Sequence, residues 1–179
     1  MMLGAVTADH KKRPPWAFAI VEVIIVAIIL VVLAMLVGPQ LTVASNANRE
    51  DDLQAKLLNL RTQVLVYRAE HGGLPPGYPP ANHAAPPNGE TFVAQLTQYT
   101  DKSGNTSPTG DRHFRYGPYL EAMPVNPMNN SSAIRFIADD QLFPQTPRGS
   151  EGWVYKPATG TIAANVGGND LDGTPYFDY

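Results

Sequence analysis

Cysteine is absent from the 179 residues, which removes both a disulfide framework and any thiolate for metal binding or nucleophilic attack. An exported domain with this composition would rest on its core alone. Charge is scarce as well: Asp, Glu, Lys and Arg make up 16% of the chain, against 44% for apolar and aromatic residues. The scarcity is concentrated, because no ionisable side chain occurs from Val23 to Asn48. Catalytic signatures are missing too, with no nucleophile elbow, no phosphate-cradling glycine loop carrying Lys, and no zinc-binding His pair. His10, His71, His83 and His113 are dispersed over the N-terminal residues, a helix end and two loops, where solvent-facing positions are expected. The expectation is a protein that is not an enzyme and that needs no cofactor.

The charge that is present is uneven. Lys11, Lys12 and Arg13 against Asp9 give residues 1–17 a balance of +2, so a net of -3 for the whole leaves -5 for the rest. An acidic body argues against nucleic acid as a partner. Phe18 to Val37 is a nearly uninterrupted apolar run of about 20 residues, enough at the helical rise to cross a bilayer's hydrocarbon core. The basic triplet precedes it and the next basic residue is Arg49, so the positive-inside bias places the N-terminus in the cytoplasm and the body outside. A plain signal anchor, a conventional signal peptide cut near Ser45 to Ala47, and a processed filament subunit all begin in this way. Glu22 separates them: a carboxylate costs on the order of 2.5–3.5 kcal/mol at the bilayer centre, and a simple anchor has no reason to carry it.

Ala17, Phe18, Ala19, Ile20, Val21 and Glu22, followed by the run to Val37, resemble the processing site of type IV prepilins and type II secretion pseudopilins. In that family a short basic leader ends in a small residue, the mature chain begins with Phe or Met, and its fifth residue is Glu. Counting Phe18 as first makes Glu22 fifth and Pro39 twenty-second, where the family often carries a helix-kinking proline. The resemblance implies that a prepilin peptidase cuts between Ala17 and Phe18 and methylates the new amine of Phe18. It implies too that Glu22 of one subunit meets that amine on a neighbour during assembly. The family usually has Gly before the cut; here Ala17 follows Pro14, Pro15 and Trp16, which bears on how efficiently the peptidase acts.

Beyond Gly38 and Pro39, where the helix should bend or open locally, Leu53, Leu57, Leu60, Val64 and Tyr67 recur at helical spacing and make one apolar stripe. Gly72 and Gly73 with Pro75 and Pro76 should stop the helix near His71, giving a helix from about Phe18 to Glu70, roughly 80 Å long. The run Tyr67, Glu70, Gly72, Gly73, Leu74, Pro75 also resembles pseudopilins. A short helix is expected at about Gly89–Tyr99, and polar loops at Pro75–Asn88 and Asp101–Arg112. Tyr116 to Leu120 and Met123 to Pro127 are similar to the segment before the pseudopilin sheet. Strands are expected at Ala133–Ala138, Gly152–Lys156 and Thr161–Val166, with a turn at Pro157–Gly160.

Near the end, Asp170, Asp172 and Asp178 cluster in a turn-rich segment whose hard oxygen ligands suit calcium. The segment resembles the acidic calcium loop of the major pseudopilin, and a solvated acidic tail is the other reading. The expected fold is α+β and pilin-like: a long N-terminal transmembrane α-helix packed against a small antiparallel β-sheet head. The divisions are a cytoplasmic leader (1–17), a transmembrane and filament-core helix (18–38), the exposed half of the helix (39–71) and the α+β head (72–179). By resemblance the chain would be a single-pass subunit of the bacterial inner membrane that polymerises into a secretion pseudopilus or pilus-like filament. Its partners would be the peptidase, membrane lipid, other copies of itself, minor pseudopilins and an inner-membrane assembly platform. The alternative is a single-span extracytoplasmic binding protein that does not polymerise.

Overall fold

The computed structural model describes residues 15–179, with the side chains of 15–21, 34 and 36–45 outside the described residues. The fold is α+β, and the chain divides into two compact units, Met1–Ser45 and Asn46–Tyr179. The first helix, α1 (Pro15–Glu70), contributes to both. Its backbone is helical through Gly38 and Pro39. A proline removes one helical hydrogen bond, but its fixed φ is compatible with a helix, and the neighbouring bonds hold the turn together.

In the Asn46–Tyr179 unit, the predicted stripe is the spine of the core: Leu53, Leu57, Leu60, Val64 and Tyr67 are all at most 1% exposed. Each fully buried Leu is worth about 1.5–3 kcal/mol relative to exposure. Leu58 and Leu65, on other faces of the same helix, remain exposed. The helix stops where the glycines allow it. Gly72 and Gly73 adopt φ of 67° and 91°, and the Gly73 amide reaches back to the Arg68 carbonyl at 2.7 Å. This left-handed exit satisfies a carbonyl that the last turn would otherwise leave open.

Helix α2 (Gly89–Thr97) starts at Asn88, whose side chain accepts the Thr91 amide at 2.8 Å, and turns Phe92 and Leu96 into the core. It ends two residues short of the expected boundary because the chain turns extended at Gln98 and enters β1 (Tyr99–Thr100). β1 pairs antiparallel with β2 (Thr106–Ser107), a small hairpin that takes Tyr99 from the expected helix and Thr106 and Ser107 from the expected Asp101–Arg112 loop. The Asp101 carboxylate builds its turn by accepting the amides of Ser103 and Asn105, a local role that composition alone does not reveal.

The main sheet has three strands, β3 (Ile134–Phe136), β4 (Trp153–Lys156) and β5 (Thr161–Ala164), in that order. The expected small antiparallel sheet is half right. β4 and β5 form an antiparallel hairpin closed by Pro157–Gly160, whereas β3 pairs with β4 in parallel. The reason is the connection 137–152, long enough to carry the chain back and start β4 alongside β3 in the same direction; only hairpin-length links dictate antiparallel neighbours. Gly152 is required at that entry, since a Cβ there would lie 1.9 Å from the Ser131 carbonyl oxygen. Asn126, fully buried, donates to the Gly152 carbonyl and accepts the Met128 amide, fastening the 126–131 turn to the start of β4.

The helix and the sheet are also joined by polar contacts. Arg61 donates through Nε and Nη2 to the Ile162 carbonyl, at 3.0 and 2.7 Å, and so covers a backbone acceptor of β5. The same guanidinium bonds the Tyr179 carbonyl, while Arg49 holds the Pro127 carbonyl. Leu60→Ala should therefore destabilise this unit by about 2–5 kcal/mol, while Leu58→Ala should stay within about 0.5 kcal/mol. Chemical denaturation of the two variants in detergent, followed by tryptophan fluorescence, checks the contrast.

Candidate functional site

The sequence marks an N-terminal segment and a C-terminal acidic loop. In the first, Ala17, Phe18 and Pro39 have side chains outside the described residues, so the cleavage and methylation positions fall there. Glu22 is described and exposed. From Val23 to Leu33, and again at Met35, every described side chain is exposed, the large apolar ones by between 50% and 72%. An amphipathic helix would carry one apolar stripe; this stretch is apolar all round, the pattern of a helix meant to be surrounded by apolar material. Along one side lie Ile24, Ala27, Ile28, Val31, Val32 and Met35. Among the described residues no helix is long and apolar enough to cross a membrane. The expected span Phe18–Val37 includes positions 18–21, 34, 36 and 37, which lie outside them.

In the C-terminal loop, the three carboxylates do not act together. Asp170 Oδ1 accepts the amides of Asp172 and Thr174, at 2.9 and 2.7 Å, and Oδ2 accepts the Tyr179 hydroxyl at 2.8 Å. Its oxygens are committed to folding the loop. Among the described residues no three His, Cys, Asp or Glu side chains converge as metal ligands would, and Asp170, Asp172 and Asp178 are no exception. Burial by itself would raise the Asp170 pKa, but the Tyr179 hydroxyl and the amides of Thr174, Asp172 and Gly173 outweigh it and hold the carboxyl below its ordinary value. Tyr179 responds in the opposite sense: desolvation, then its bond to Asp170, pushes the phenol up to about 12.

The same loop is tied to α1. The Tyr176 hydroxyl donates to Oε1 of Glu50 at 3.0 Å, and Glu50 is only 8% exposed. At the other end of this part of α1, Tyr119 donates to Glu70. His71 corrects the expectation of a solvent-facing histidine, being 5% exposed. Its ring stacks on Tyr67 at 3.9 Å, Nδ1 lies 2.8 Å from the Tyr67 carbonyl and Nε2 lies 3.0 Å from the Thr100 hydroxyl. A carbonyl only accepts, so Nδ1 carries a proton.

Sequence reasoning also missed Gln95, fully buried on α2, which accepts the Gly77 amide and donates to the carbonyls of Tyr78 and Gly104. The signal was present: Gln95 lies three residues after Phe92 and one before Leu96, on the face that must be covered. Compared with family models, curated proteins and solved structures, the chain matches none.

The Asp170 geometry predicts a pH dependence. A carboxyl whose folded pKa is depressed contributes stability that is full above its unfolded value, near 3.8, and is lost as pH falls through the lower folded value. The Thr174 amide should therefore stay protected from exchange at pH 5 and lose protection below 3.8. In Asp170→Ala it should be unprotected at both, as hydrogen exchange read by mass spectrometry would register.

Proposed function

We propose that the chain is a structural subunit of a type II secretion pseudopilus or type IV pilus-like filament, cut by a prepilin peptidase between Ala17 and Phe18 and polymerised through its N-terminal helix. The observation that carries this reading is the run from Val23 to Met35, whose described residues form a helix apolar on every side, with Glu22 as the lone carboxylate at its start. Such a helix is stable only when lipid or other apolar helices surround it. A membrane supplies that cover before assembly and a bundle of identical helices supplies it afterwards.

Glu22 then acquires a function. Cleavage leaves a cationic amine on Phe18, four residues before the carboxylate. A carboxylate and an amine at nearly the same depth, on neighbouring helices, neutralise each other where an unpaired charge would be costly. That pairing fixes one helix against the next and thus the axial step of a filament. The α+β unit beyond Asn46 would be the head displayed on its surface, outside the cytoplasmic membrane. Secretion by such a filament would come from growth that pushes cargo, so the subunit needs no catalytic group of its own.

Leaving one partner of a buried ion pair uncompensated costs about 3–5 kcal/mol, which is repeated at every subunit. Glu22→Leu should thus insert into the membrane normally, yet yield no sheared filament when expressed with the assembly machinery. Sedimentation of sheared material together with membrane fractionation reads both quantities. Filaments from Glu22→Leu at the wild-type level would overturn the proposal and favour a single-span anchored binding protein.

A further inference from the structure

A cleft of about 380 Å³ opens beside the end of α1, lined by Arg68, Tyr78, His83 and Asp139, with Leu74 and Pro157 among its apolar residues. Its volume lies toward the small end of ligand sites, about 300–1,000 Å³. The filament reading makes no use of it. Four segments that are distant in sequence build it: the last turn of α1, the 74–83 loop, the 139–141 loop and the β4–β5 turn.

Several contacts hold the walls in place. Tyr78 donates its hydroxyl to Asp139 Oδ2 at 3.1 Å, and the Tyr78 carbonyl is itself held by Gln95. Lys156 anchors the 139–141 loop by donating to the carbonyls of Asp139 and Gln141. Gly160, at φ 74°, leaves room for the half-buried guanidinium: a Cβ there would sit 2.5 Å from Arg68 Nη1. Yet Arg68 makes no side-chain hydrogen bond or ion pair among the described residues, and Oδ1 of Asp139 accepts none. The Tyr155 hydroxyl, fully buried, has no hydrogen-bond partner among the described residues either.

The geometry points to a binding site for a neutral polyhydroxylated ligand, a sugar unit of a glycan. A guanidinium only donates and a carboxylate only accepts, so the cleft is lined by both unused donors and unused acceptors. An anion would gain Arg68 but face Asp139, and a cation would meet the reverse. A sugar hydroxyl donates and accepts at once, so adjacent hydroxyls satisfy both groups without importing charge. The Tyr78 ring with Leu74 and Pro157 supplies apolar surface for the C–H face of a pyranose ring. The inference is independent of the filament reading, since it concerns only the Asn46–Tyr179 unit.

The test is a titration of the full-length protein in detergent, followed by amide chemical shifts. The probes are maltotetraose and the N-acetylglucosamine tetramer as neutral glycans, with acetate, phosphate and glycine as charged and zwitterionic controls. One neutral glycan should give saturable shifts at Leu74, Asp139 and Gly160, and the controls should give none. Arg68→Met, which keeps the apolar stem, should weaken that binding at least about tenfold, the loss expected for a hydrogen bond to a charged group. Asp139→Asn should weaken it as well, with Thr100 and Ala163 amides unmoved in both variants as evidence of an intact fold. The proposal is overturned if neither glycan shifts these amides, if acetate, phosphate or glycine binds in their place, or if Arg68→Met binds as the wild type does.

Discussion

Leu53, Leu57, Leu60, Val64 and Tyr67 form a stripe that α1 cannot leave in water, and the rest of the Asn46–Tyr179 unit is arranged to cover it. Phe92 and Leu96 come from α2, Trp153 and Tyr155 from β4, Ile162 and Ala164 from β5, and all are buried in the same cluster. No cysteine contributes. A core assembled on one helix face must also solve its polar problem, and Arg61, Asn126 and Gln95 do so by bonding backbone groups that the short strands and long loops leave open. Tyr67 shows the cost of packing by shape first. Its hydroxyl finds no partner among the described residues, and burial drives its pKa upward.

Between Val23 and Met35 the same side-chain types have the opposite surroundings. In the second unit one face of α1 is apolar and is covered; in this run every face is apolar and exposed. Propensity favours the second stretch, since Val and Ile crowd the first, yet both are helical. What differs is the material that can cover them: a protein core suffices for a stripe, while an all-round surface needs lipid or several like helices. The filament proposal follows from that difference and from one carboxylate at Glu22.

Periodic features were the legible ones. The α1 stripe, the glycine stop after Glu70, helix α2 and the β4–β5 hairpin each announce themselves within a dozen residues, through spacing or turn chemistry. The parallel pairing of β3 with β4 was not legible, because it depends on where a long connection lands. The β1–β2 hairpin was hidden by strands of two residues, and its turn depends on Asp101, one aspartate among many. His71 was misread because a histidine after a helix end is usually solvated, whereas here the rings of Tyr67, Tyr116 and Tyr119 and the Thr100 hydroxyl surround it. At the acidic C-terminus, composition does not reveal that Asp170 accepts the amides of its own loop. The Arg68 cleft was beyond sequence reading, since its walls come from four separate segments.

The central claim is that the apolar run becomes a filament core after the chain is cut before Phe18. Intact mass and N-terminal sequencing of the protein isolated from its native membrane measure this most directly. The account predicts a chain that begins at Phe18 and is heavier by one methyl group than its sequence requires. A chain that retains residues 1–17, or one that begins beyond Ser45, would contradict it.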